Sequence, residues 1–96
     1  MNARLLRFSL ANGHRDVAQA LADDLVPRIA SQPGCQRATL FGDDSDGQYG
    51  IFVLWCCATH ANEAAAVIQP ILDQHLAGNV QAPPERRLFE VLSDSA

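Results

Sequence analysis

The chain has 96 residues, with 7 Lys and Arg against 11 Asp and Glu, a formal net charge of −4, and 48% apolar and 19% charged residues. That length suits one domain spanning residues 1–96, and the acidic balance, with only Arg86 and Arg87 adjacent among scattered basic residues, excludes the basic stripe of a general nucleic-acid binder. No run approaches the roughly 18 apolar residues of a membrane span, the N-terminal segment lacks a signal-peptide core, and three cysteines form no closed disulfide set, so the expectation is a cytoplasmic protein with neither nucleic acid nor membrane as partner.

Residues 4–10, RLLRFSL, alternate: Leu6, Phe8 and Leu10 share one face, and Leu5, Arg7 and Ser9 the other. A period of two is that of a strand, and Asn12-Gly13 turns the chain after it. Across 15–31, Val17, Leu21, Leu25 and Ile29 recur every four residues and make one apolar helical stripe. Asp16 suits the start of that helix. Pro27 interrupts its hydrogen bonding and predicts a kink, and Pro33-Gly34 stops it.

Residues 35–42 and 48–58 read as strands joined by the polar turn 43–47, a hairpin. The second is apolar on both sides: Tyr49, Ile51, Val53 and Trp55 point one way, and Phe52, Leu54 and Cys56 the other. An Ala-rich helix follows over 60–77, with Thr59 as its cap and a kink or a division into two short pieces expected at Pro70. After Pro83-Pro84, residues 86–92 form a last strand. The order β-α-β-β-α-β is that of a ferredoxin-like α+β fold, four antiparallel strands with both helices on one face. Helices cover one sheet face only. The apolar second face calls for another subunit, hence a homodimer of facing sheets.

The reactive residues have plain structural readings. Cys56 and Cys57 occupy consecutive strand positions, so alternation sends them to opposite faces, rules out a shared metal ion and makes them small buried apolar groups. His14, His60 and His75 include no i, i+4 pair, and His60 is expected in solvent. Asp43, Asp44 and Asp46 lack the Glu that closes a calcium loop and read as a solvated turn. No phosphate loop, dinucleotide fingerprint or hydrolase signature is present, so no cofactor and no metal are expected.

Pro33-Gly34-Cys35 opening the second strand, Trp55 closing the third ahead of an Ala-rich helix, and the helical stretch ALADDLVPRIASQPGC together resemble the antibiotic biosynthesis monooxygenase-like domain of the dimeric α/β barrel superfamily. The resemblance spans roughly residues 4–92. It implies a homodimer with a pocket between sheet and helices in each subunit, and an oxidation of a small aromatic or quinol-like molecule by O2 without cofactor. It makes Trp55 a pocket wall, with Ile51 and Val53 beside it where monooxygenase relatives place a polar amide. Haem-degrading relatives keep a histidine near the position of His75, but also an Asn in the first strand and a Trp on the second helix, which this chain lacks. His75 or His14 would supply a base, since histidine titrates in the useful range, and Arg7 and Ser9 would bind an anionic or carbonyl group. The alternative is a non-catalytic dimeric domain that binds a small apolar metabolite or only assembles.

Overall fold

The computed structural model describes residues 1–10, 15–80 and 83–95. Its elements are β1 (Asn2–Ser9), α1 (Arg15–Ala20), α2 (Val26–Ala30), β2 (Cys35–Asp43), β3 (Gln48–Trp55), α3 (Ala58–Leu76) and β4 (Glu85–Glu90). The strands form one antiparallel sheet in the order β2-β3-β1-β4, which is the expected ferredoxin-like α+β topology.

The first helical segment is divided by a π turn, Leu21–Leu25, between α1 and α2. There the amide of Val26 bonds the carbonyl of Leu21, five residues back. Pro27 has no N–H to offer the next carbonyl in the ladder, and the strain expected as a kink is taken up as this wider turn just ahead of the ring. The apolar stripe survives it, because Leu21, Leu25 and Ile29 are all essentially inaccessible. Pro70 behaves differently. α3 runs unbroken for 19 residues with Pro70 inside it, so the helix is not divided into two short pieces there. Pro70 and Ala66, four residues earlier, both lie on the exposed side, so water can serve the carbonyl that the proline leaves without a donor. The helix begins two residues earlier than expected, with Cys57 as its N-cap. Thr59 therefore sits inside the first turn and is not the cap.

The helix-facing side of the sheet carries the core. Leu6 and Phe8 of β1, Ile51, Val53 and Trp55 of β3, and Leu21, Leu25, Ile29, Ile68 and Leu72 of the helices form one buried cluster. Each such side chain contributes roughly 1.5–3 kcal/mol by leaving water. A β-bulge in β2 shifts its register between Cys35 and Arg37. The extra residue brings Cys35 onto the same face as Ala38 and Leu40, all three packed against the core. The opposite face is open: Phe41, Phe52 and Phe89 are exposed by 46%, 36% and 39%. Phe41 lies over Gly50 on the neighbouring strand, where a Cβ would stand 2.2 Å from its ring.

The hairpin turn is more than a solvated loop. Asp43 Oδ1 accepts from the amide and hydroxyl of Ser45, and Asp44 pairs with Arg15 at the start of α1 and accepts the hydroxyl proton of Tyr49. These bonds tie the turn to the first helix.

Candidate functional site

A cavity of about 70 Å³ lies between α3 and the sheet. Its floor is Leu6 of β1 and Val53 and Trp55 of β3. Ile29 of α2 adds to the lining, and α3 supplies Ala61, Ala64, Ala65, Ile68 and Leu72. The row of alanines explains why space remains, since a larger side chain at those helix positions would fill it. Arg4, Arg86 and Gln69 complete the lining and are its polar part.

The two guanidinium groups are not equivalent. Arg86 donates to Asp73 of α3 at 2.7 Å, a charge-balanced pair. Arg4 donates to the neutral amide oxygen of Asn62 at 3.0 Å, and among the described residues no carboxylate pairs with it. Partial burial and the neighbouring charge of Arg86 both depress the Arg4 pKa, burial more strongly. The site thus carries a surplus positive charge beside an apolar chamber, which favours an apolar anion. Trp55 is 3% exposed, and its Nε1–H is buried with no hydrogen-bond partner among the described residues. A buried donor without an acceptor costs about 1–3 kcal/mol.

Of the residues singled out in the sequence, Val53 and Trp55 meet in this cavity. Ile51 is buried one step along the same strand face but is not in the lining. Arg7 and Ser9 stand on the open sheet face, in a shallow groove with Gln48 and Glu85, where Gln48 donates to Ser9 Oγ at 2.6 Å. His75 lies outside the cavity and bonds Asp24 through Nε2 at 2.8 Å. That contact, followed by Arg28, holds the Asp24 carboxyl below its usual range. His14 lies outside the described residues. Arg4 and Arg86 were missed as site residues. The signal for Arg4 was in the alternation itself, because position 4 shares the parity of Leu6 and Phe8 and so faces the helices.

The cysteines are not the buried strand residues expected. β3 ends at Trp55, so strand alternation no longer applies beyond it. Cys56 is exposed and Cys57 half-buried, with their sulfurs 3.6 Å apart. Cys57, His60 and the thiol of Cys56 lie on one side of the β3–α3 junction, their ligand atoms all within 4.8 Å of one another. The amide N–H of His60 at the helix start, then the Cys56 thiol, lower the Cys57 pKa, while donation toward Cys57 raises that of Cys56. His60 is also not simply solvated: its Nδ1 is buried without a hydrogen-bond partner among the described residues, 3.9 Å from Glu63. Cys35 is separate, its thiol pushed up chiefly by burial.

No known family's sequence profile matches the chain, and no curated protein matches it by similarity. Solved structures do. A proposed antibiotic biosynthesis monooxygenase from Nitrosomonas europaea superposes with a TM-score of 0.83 at 10% identity, over 97% of this chain and 100% of that one. SnoaB, a cofactor-independent oxygenase from Streptomyces nogalater solved as a mutant, superposes at 0.75 with 23% identity, over 97% and 94%. A protein of unknown function from Nitrosomonas europaea superposes at 0.84 with 14% identity, over 99% and 92%. These likenesses show the fold, the ferredoxin-like α+β unit described above, which the chain shares with structures named as antibiotic biosynthesis monooxygenases. Activity and substrate do not follow from fold at this distance.

Proposed function

We propose that the protein binds a small, acidic aromatic molecule of the phenol or quinol kind in the cavity beneath α3 and oxidises it with O2, the substrate supplying the electrons, with the open sheet face joined to a second copy of the chain. The observation that carries the reading is Trp55 in the floor of a chamber whose polar lining is cationic, its Nε1–H buried without a partner among the described residues. Opposite charge close by favours ionisation of a bound phenol, and the phenolate is the more electron-rich form toward O2. A methylene group activated by such a ring would become a carbonyl, one oxygen atom entering it and the other leaving as water. The oxygenase named among the similar structures supports this chemistry by fold alone.

The cavity must widen to admit a ring, since about 70 Å³ is below the roughly 150 Å³ of an engineered cavity that holds benzene. The contact between Arg4 and Asn62 is exposed and is the natural place for it to open. Binding without catalysis is a second reading, and one observation favours it: among the described residues, the lining contains no histidine or carboxylate to act as a base. His75 would need to act from outside the chamber.

The chain has a single tryptophan, so its emission reports this chamber. Titration with hydroxylated aromatic acids should give saturable quenching, weakened at least tenfold by Arg4→Ala and abolished by filling the chamber with Ala65→Leu, and an oxygen electrode should record uptake with the true substrate class. Quenching without O2 consumption across that class leaves the binding reading. Unchanged emission with every such ligand removes both.

A further inference from the structure

We propose that Cys56, Cys57 and His60 form a binding site for a thiophilic d10 cation, Zn(II) being the ion the geometry fits. The site is separate from the cavity and does not depend on the function proposed for it.

The spacing comes first. The two sulfurs stand 3.6 Å apart, and two Zn–S bonds of about 2.3 Å at a tetrahedral angle set them about 3.8 Å apart. The thiols thus already stand at coordination distance, and His60 brings a ring nitrogen within 4.8 Å of them. Two thiolates and an imidazole are a donor set for Zn(II), and a poor one for Mg(II) or Ca(II), which take oxygen.

The backbone fixes this arrangement. β3 stops at Trp55, Cys57 is the extended N-cap of α3 at φ −160° and ψ 163°, and His60 falls in the first helical turn. Gly34 packs against the group, and its carbonyl accepts the Cys56 amide at 2.9 Å. A Cβ at Gly34 would lie 2.7 Å from His60 Cγ and 2.9 Å from Cys56 Sγ, and its φ of +82° is in any case a glycine conformation. The close approach of this loop to the imidazole and thiol is therefore built from residues distant in sequence.

A second observation is independent of the spacing. His60 Nδ1 is shut off from solvent with no hydrogen-bond partner among the described residues, and Glu63 at 3.9 Å is beyond bonding distance. Coordination through Nδ1 would give that atom the partner it lacks. Three protein ligands leave a fourth position, and the exposure of Cys56 lets water or the Glu63 carboxylate take it, as in an open zinc site.

The test is metal titration of the full chain, reduced and freed of metal with a chelator. Co(II), a spectroscopic stand-in for Zn(II), should bind one ion per chain, with a thiolate-to-cobalt charge-transfer band and the visible absorption of tetrahedral cobalt, both erased by added Zn(II). Cys56→Ser and Cys57→Ser should each remove most of the charge-transfer intensity, His60→Gln should weaken binding at least tenfold, and Cys35→Ser should leave all of it intact. Tryptophan emission checks that each variant is folded. A folded wild type without the charge-transfer band overturns the proposal. So does a band that persists in the variant lacking both Cys56 and Cys57, or one that disappears with Cys35→Ser.

Discussion

Trp55 is where packing and the proposed function meet. It is buried against Val53, Leu6 and the alanines of α3, yet borders a cavity and, among the described residues, has no partner for its N–H. Trp55→Ala should therefore destabilise the fold by about 3–5 kcal/mol in urea unfolding, the loss typical of a large aromatic truncated in a core. Trp55→Phe, which removes the unpartnered donor along with some volume, should cost clearly less. Equal losses for the two would mean that the indole ring is held by contacts the phenyl ring cannot make. A second residue-scale prediction concerns pH. The Tyr49 hydroxyl, more than Arg15, holds the Asp44 carboxyl below its ordinary value, and donation to Asp44 raises Tyr49 above its own. The Asp44 contribution is complete above the ordinary carboxylate range near pH ~4 and fades as pH falls through the lower folded value. The Tyr49 contribution is complete below about pH 10 and fades as pH rises through the higher one. Asp44→Asn should flatten both flanks of a plot of urea midpoint against pH. A variant profile that parallels the wild type would show that the pair does not couple the turn to stability.

At the scale of elements, the two prolines inside helical patterns separate sequence rule from structural outcome. Pro27 follows a π turn, while Pro70 sits in a continuous helix. A proline within a helix costs about 3 kcal/mol relative to alanine, and the exposed setting of Pro70 lets water recover part of that. Pro70→Ala should raise stability by about 2 kcal/mol, read from the urea midpoint, because it restores a backbone donor without disturbing the buried face of Ile68 and Leu72. A neutral result would mean that the free carbonyl is already fully served. β2 shows the converse. Cys35 and Ala38 have opposite parity, so simple alternation would split them between faces, and only the bulge after Cys35 brings both to the core. Cys56 and Cys57 escaped the same rule because β3 ends one residue before them.

For the whole molecule, the proposed dimer rests on the open sheet face. Phe41, Phe52 and Phe89 are exposed together on it, with Arg87 placed 4.9 Å over the Phe89 ring. Exposed aromatic surface of this kind favours burial against a like face. At micromolar concentration, sedimentation equilibrium should give twice the 10.4 kDa chain mass, and Phe52→Lys should shift it to the single chain without loss of helical circular dichroism. A wild type that sediments as a monomer would leave this face needing another explanation.

The sequence by itself determined the order of elements, the helical stripe of Leu21, Leu25 and Ile29, and the two apolar sides of β3, because each rests on a period that neighbouring residues carry. It also placed Trp55 and Val53 on one strand face. What it could not supply was anything that depends on where an element stops or on what another element brings against it. The end of β3 at Trp55 turned two supposedly opposed thiols into neighbours of His60. The packing of α3 over β1 and β3, together with the Arg86–Asp73 contact, gathered Arg4, Arg86 and Trp55, which are far apart in the chain, around one cavity. Periodicity is a local property, set by the backbone geometry of a few residues. A site is a long-range one, decided only when strand register and helix docking fix which distant side chains share a space.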